Sequence, residues 1–183
     1  MVRKQTITAL VWIVTLLAMG ATVAAPAFAA TMRTTLHVAT PAGPGAEVGT
    51  ATITDSPQGA MITLDLHGVP PGQRGMHVHQ NGSCAASTGP DGKPVPAGAA
   101  GAHFDPAGTG RHMGPEGAGH LGDLPRVDVA GDGTARANLK APRIKDVSVL
   151  KGRALIVHAG GDSYMEPPPL GGGGARFACG VLE

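Results

Sequence analysis

The amino-acid sequence predicts an all-β chain, an antiparallel sandwich or barrel of short strands. Apolar residues alternate with period two in segment after segment, and Gly, Pro and Asp cluster between the segments. Beyond the first 29 residues no stretch sustains a 3.6-residue apolar period. Strands are predicted over Thr34–Ala39, Val48–Thr54 and Met61–His67, the last placing Ile62, Leu64 and Leu66 opposite Thr63 and Asp65. Met76–Gln80 continues the pattern: His77 and His79 must point the same way, with Met76 and Val78 opposite. Arg126–Val129 and Ala135–Leu139 read as a pair joined by a hairpin-type turn, Ala130-Gly131-Asp132-Gly133. Ala154–His158 and Ala175–Val181 bring the strands to eight. Aromatic residues are scarce, so the core must be built from Val, Ile, Leu and Ala. Two segments, Asn81–Leu124 and Gly160–Gly174, are too long for turns and are expected to be functional loops.

Residues 1–29 read as a secretory signal peptide. Arg3 and Lys4 give a positive start, Ala9–Met19 is apolar, and Ala27-Phe28-Ala29 offers a small-x-small cleavage pattern. The apolar run is short for a bilayer span. Cleavage after Ala29 would leave residues 30–183 as one domain, long enough to bury roughly two-thirds of its unfolded surface. Without Arg3 and Lys4 the chain carries one more acidic than basic residue. That balance argues against a nucleic-acid partner or a polybasic membrane surface. The two cysteines, Cys84 and Cys179, are expected to form a disulfide in an exported protein.

Eight histidines carry the unusual chemistry: His37, His67, His77, His79, His103, His112, His120 and His158. His77 and His79 project from one face of a strand, and His158 ends another, so the three can complete an imidazole-rich copper site. His103, His112, His120 and Asp123 lie in one Gly- and Pro-rich loop, spaced His-x8-His-x7-His-x2-Asp. Three imidazoles and one carboxylate form the closed tetrahedral set that zinc takes in structural sites. His37 and His67 have no such partners and read as structural or surface residues.

Taken in order, these segments resemble the copper–zinc superoxide dismutase family. Gly75-Met76-His77-Val78-His79 is similar to its first signature, His103-Phe104-Asp105-Pro106 to the segment with its bridging histidine, and Gly119–Leu124 to its last zinc-ligand segment. Val157-His158 matches the remaining copper ligand, and Gly171–Gly174 with Ala175–Val181 resembles the C-terminal signature. The insertion between Cys84 and His103 and the Pro-Leu-Gly-Gly-Gly-Gly run at 169–174 resemble the bacterial branch. Ala102, where Gly is commoner, and Leu182, where Ile or Val is usual, are departures outside the ligand positions.

The resemblance implies an eight-stranded antiparallel Greek-key β-sandwich or barrel, immunoglobulin-like, with two long functional loops. It implies copper at His77, His79, His103 and His158, and zinc at His103, His112, His120 and Asp123, with His103 shared as a bridge. It also implies Asp162 as a carboxylate linking His77 to His112, and Arg176 beside the copper as a holder of the anionic substrate, superoxide. Lys93, in the insertion, reads first as a plain surface lysine and second as an addition to a steering field, a property for which this family is itself a known illustration. The implied locale is the periplasm, or secretion. The bacterial branch includes monomers and dimers, which leaves a homodimer open. The rival readings are a periplasmic copper-buffering protein without turnover and a binding module whose histidines are incidental.

Overall fold

A computed structural model describes residues 29–183, and the predicted leader lies outside the described residues except for Ala29, which is exposed. Eleven strands occur in chain order: β1 (Thr31–Thr40), β2 (Gly43–Thr54), β3 (Ala60–Leu66), β4 (Gly72–Arg74), β5 (Met76–His79), β6 (Ser87–Thr88), β7 (Pro94–Val95), β8 (Val127–Val129), β9 (Ala135–Ala141), β10 (Ala154–His158) and β11 (Arg176–Val181). All eight predicted strands are among them. The additions are β4 and the two-residue pair β6–β7, too short to show an alternation. Among the described residues no helix is long and apolar enough to cross a membrane.

Seven strands form one antiparallel sheet in the order β5-β10-β11-β1-β2-β3-β9, while β4 pairs with β8 and β6 with β7. The meander β1-β2-β3 is flanked by β11 on one side and β9 on the other, so crossing connections close the architecture in the Greek-key manner. The alternation read from the sequence explains the core. In β3, Ile62, Leu64 and Leu66 are buried while Thr63 and Asp65 are exposed. They pack with Leu36, Ile53, Met76, Val78, Leu124, Val127, Leu155 and Val157 in one cluster. Full burial of each such aliphatic side chain stabilises the fold by roughly 1.5–3 kcal/mol.

The predicted hairpin between 126–129 and 135–139 is corrected. Its turn exists, with the Ala130 N–H donating to the Thr134 carbonyl at 2.8 Å and Gly133 at φ +83°. The strands it joins nevertheless diverge, β8 to β4 and β9 to the edge of β3. A seven-residue register with β3, from Ala60↔Ala141 to Leu66↔Ala135, outweighs any local pairing, so the turn is a corner between sheets.

Strand β10 is buried on both faces. Leu155 and Val157 point into the main core. Ala154 and Ile156 point the other way, into a smaller cluster with Ala97, Ala100 and Cys179 beneath the first long loop. His158 ends that second face.

Candidate metal centre

Strand β5 has β10 on one side only, and its other edge is paired by the long loop. The Phe104 N–H donates to the Val78 carbonyl at 2.8 Å, the Val78 N–H to Gly122 O at 2.9 Å, and the Gly122 N–H to Phe104 O at 2.8 Å. Such pairing satisfies the backbone of an otherwise open edge. It also sets His103 opposite His79 and Asp123 opposite His77. Glycine is required at 122, because a Cβ there would lie 2.2 Å from Val78 O. The loop is thereby fixed from the strand outward.

His77, His79, His103 and His158 each bring one ligand atom into a group whose members all lie within 4.8 Å of one another, and all four residues are buried. The outward nitrogens are committed. His77 Nε2 donates to Asp162 Oδ2 at 2.9 Å, His79 Nδ1 to Gly101 O at 2.8 Å, and His158 Nδ1 to Gly174 O at 3.1 Å. Carbonyl and carboxylate oxygens cannot donate, so these contacts put the proton on the outward nitrogen and leave the inward lone pair bare. His77 Nδ1, His79 Nε2, His103 Nε2 and His158 Nε2 are buried without a protein partner. Each such orphan costs about 1–3 kcal/mol unless something binds it. Burial pushes two of the imidazoles down, His79 to about 2 and His158 to about 3, so both present lone pairs at neutral pH.

On the other side of His103, three Nδ1 atoms converge on one oxygen. His103, His112 and His120 lie 2.9, 3.1 and 3.3 Å from Asp123 Oδ1. The second group whose ligand atoms all lie within 4.8 Å of one another is His77, His103, His112 and Asp123. His77 joins it because its ring stacks on His103, with centroids 3.9 Å apart, and His120 stands slightly farther out. Burial lowers His103 to about 4 despite its bond to Asp123. For His112, burial opposes the charge, but hydrogen bonds to Asp123 and Asp162 outweigh it and push the pKa up to about 9. Burial acts against both carboxylates, yet His103 and His112 hold Asp123, and His112 and His77 hold Asp162, below the usual carboxylate range. The donors fit the two ions: bare imidazoles suit copper, and three imidazoles with a carboxylate suit zinc.

Asp162 lies between the groups, its second oxygen accepting from His112 Nε2 at 2.8 Å. The glycine run passes against this contact. Gly171 has φ +69°, and a Cβ there would fall 2.0 Å from Asp162 Oδ1. Gly173 lies against the His158 ring, which a Cβ would approach to 3.1 Å. Arg176 is half-buried, its Nη1 donating to Ala97 O at 2.5 Å and its Nη2 to Gly101 O at 2.6 Å. Gly101 O is also the acceptor that orients His79. Cys84 and Cys179 are disulfide-bonded, tying the loop to β11 across 95 residues of sequence.

His37 and His67 stay outside both groups, the former in β1 and the latter exposed. Lys93 is exposed on the β6–β7 turn, 3.5 Å from Asp91. Sequence reasoning missed the arginines that hold the loops. Arg143 donates to Gly119 O (2.8 Å) and His120 O (3.0 Å), and Arg153 donates to Gln80 O (2.9 Å) while covering the Phe104 ring at 3.6 Å. Backbone carbonyl acceptors leave no motif, so no sequence signal points to them.

A β-barrel that brings three imidazoles to one side of a histidine, and two imidazoles with a carboxylate to the other, offers two adjoining sets of metal ligands. The sequence model for copper/zinc superoxide dismutase (SODC) matches residues 47–182. The superoxide dismutase [Cu-Zn] of Brucella abortus is 50% identical over 159 residues, 86% of this chain and 91% of that protein. A solved Brucella abortus Cu/Zn superoxide dismutase superposes with a TM-score of 0.82 at 49% identity, covering 84% of this chain and 100% of that one. The monomeric copper, zinc superoxide dismutase of Salmonella enterica gives 0.74 at 45% identity, with coverage of 84% and 100%. The chain belongs to the copper/zinc superoxide dismutase family.

Proposed function

We propose that copper is held by His77, His79, His103 and His158 and zinc by His103, His112, His120 and Asp123, in an enzyme that converts two superoxide anions and two protons to dioxygen and hydrogen peroxide. The observation that carries this is the position of His103. Its Nε2 faces the unpartnered nitrogens of His77, His79 and His158, while its Nδ1 joins His112 and His120 at Asp123. A copper buffer explains the first group but not the second, nor their meeting on one ring. When bound, copper supplies a one-electron redox couple, and zinc a charge of fixed oxidation state.

The chain's own residues do the rest. His103 Nε2 is the nitrogen able to hold a proton and pass it to the substrate, because Nδ1 is committed on the Asp123 side. Asp162 fixes the tautomers of His77 and His112. Arg176 commits donors to Ala97 and Gly101 and keeps others, on a permanently charged group, for a small anion.

The domain of residues 30–183 is read as the exported form, protecting the cell envelope from superoxide in the periplasm. The leader-like residues 1–29 and the Cys84–Cys179 disulfide support that reading. The Salmonella relative favours a monomer over the homodimer left open by the sequence. The decisive test is superoxide consumption by the protein loaded with copper and zinc. A rate far above that of the same amount of free copper is expected; a rate equal to free copper would favour the buffer.

A further inference from the structure

Asp162 stands in the loop between β10 and β11, yet it makes two directional bonds to histidines of the two groups. A loop residue keeps such geometry only if something else holds it. Three contacts do so. The Tyr164 N–H donates to Asp162 Oδ1 at 2.7 Å, Arg126 Nη1 donates to the Asp162 carbonyl at 2.8 Å, and the Arg126 N–H donates to Tyr164 Oη at 2.9 Å. The Arg126 guanidinium also lies 4.7 Å from the centre of the Tyr164 ring, a cation–π contact.

The backbone of Tyr164 adds a second line of observation. Its φ is +62°, in the left-handed region that non-glycine residues occupy only where the surroundings over-determine them, characteristically at functional sites. Its side chain packs on Gly114, where a Cβ would fall 2.6 Å from Tyr164 Cβ. Gly114 is two residues beyond His112, and Arg126 is three beyond Asp123. Tyr164 thus touches the zinc loop on both sides while its own backbone supports Asp162.

We infer that Arg126 and Tyr164 form a latch that positions Asp162, and through it couples zinc retention to the geometry of the copper ligands. Neither residue contributes an atom to either histidine group, so both are positioning residues. The inference rests on the assignment of the two metals given above. Exchange of the tyrosine hydroxyl for hydrogen removes the acceptor for Arg126 and leaves the ring in place, which isolates the latch from gross packing.

The experiment compares metal-replete wild type with Tyr164→Phe, Arg126→Ala, Asp162→Asn and the double variant Tyr164→Phe/Asp162→Asn. Zinc release into excess chromophoric chelator and the Cu(II) electron paramagnetic resonance spectrum are the readouts. Each latch variant is expected to release zinc about tenfold faster with copper content unchanged, as loss of an outer partner of a metal ligand does. Its copper spectrum should move toward that of Asp162→Asn. In the Asp162→Asn background, Tyr164→Phe should add nothing, since the residue it serves is gone.

Wild-type release rates in both latch variants would overturn the inference. So would a full additional effect of Tyr164→Phe in the Asp162→Asn background, which is what a merely structural role produces. Should Arg126→Ala fail to fold, Tyr164→Phe answers the same question alone. A wild-type protein that takes up no zinc would overturn the metal assignment and the latch together, whereas normal uptake with unaffected variants overturns the latch only.

Discussion

The two halves of the centre, the one proposed for copper and the one proposed for zinc, are held by different means. His77, His79 and His158 stand on β5 and β10, adjacent strands whose register is fixed by Ala154↔His79 through Val157↔Met76. Two of their outer nitrogens rest on backbone carbonyls, at Gly101 and Gly174. His112, His120 and Asp123 come from a loop, and that loop is pinned by side chains: Arg143 at Gly119 and His120, and Asp162 at His112. The strand histidines therefore take their placement from the sheet, and loop groups at Gly101, Asp162 and Gly174 set only the orientation of their rings. The zinc set is a product of the loop, and single contacts control it. His103 lies between them, in the loop but stitched to β5 through Phe104.

The strongest way to break this division is to remove the shared residue. His103→Ala should lower the catalytic rate by roughly 100- to 10,000-fold, the range expected for loss of a proton donor. It should also loosen both metals, as metal analysis after dialysis against chelator would register. A variant that loses zinc alone would show that His103 belongs to the zinc half only.

Next in size is the disulfide. Cys84→Ser with Cys179→Ser opens a closure of 95 residues and should cost up to about 4–5 kcal/mol in the chain-entropy account, read by urea unfolding of the metal-free protein. An unchanged midpoint would mean that strand pairing alone sets stability. A smaller and more selective effect is expected from Asp123→Ala. It should weaken zinc about 100-fold and leave copper within about threefold, because only the zinc set loses a donor. Equal loss of both metals would contradict the division into halves.

The smallest effect tests the electrostatics. Arg176→Ala should lower the bimolecular rate roughly tenfold and flatten its dependence on ionic strength, with metal content unchanged. Loss of copper instead would show that the guanidinium acts through Gly101 O, the carbonyl it shares with His79.

Much of this was legible in the sequence. The period-two pattern located eight strands, and the His77/His79 spacing required the two rings to share a face, as they do. Family signatures named Asp162, which spacing alone could not. The rest failed for a common reason: it depends on pairings between distant segments. Residues 130–133 have the composition of a hairpin turn, but the partner of β9 is β3, a strand far back in the chain, paired from Ala60↔Ala141 to Leu66↔Ala135. The edge pairing of Phe104 and Gly122 with Val78 uses backbone groups, which carry no sequence signal. Arg126, Arg143 and Arg153 look like surface charges because their acceptors are carbonyls rather than acidic side chains.

One histidine, His103, is proposed to serve two metals. The most direct measurement is metal stoichiometry of the mature protein together with the Cu(II) spectrum before and after zinc is withdrawn. One copper and one zinc per chain, with a copper spectrum that changes when zinc leaves, is the predicted result. A copper spectrum indifferent to zinc would contradict the account, since it would leave His103 on one side only.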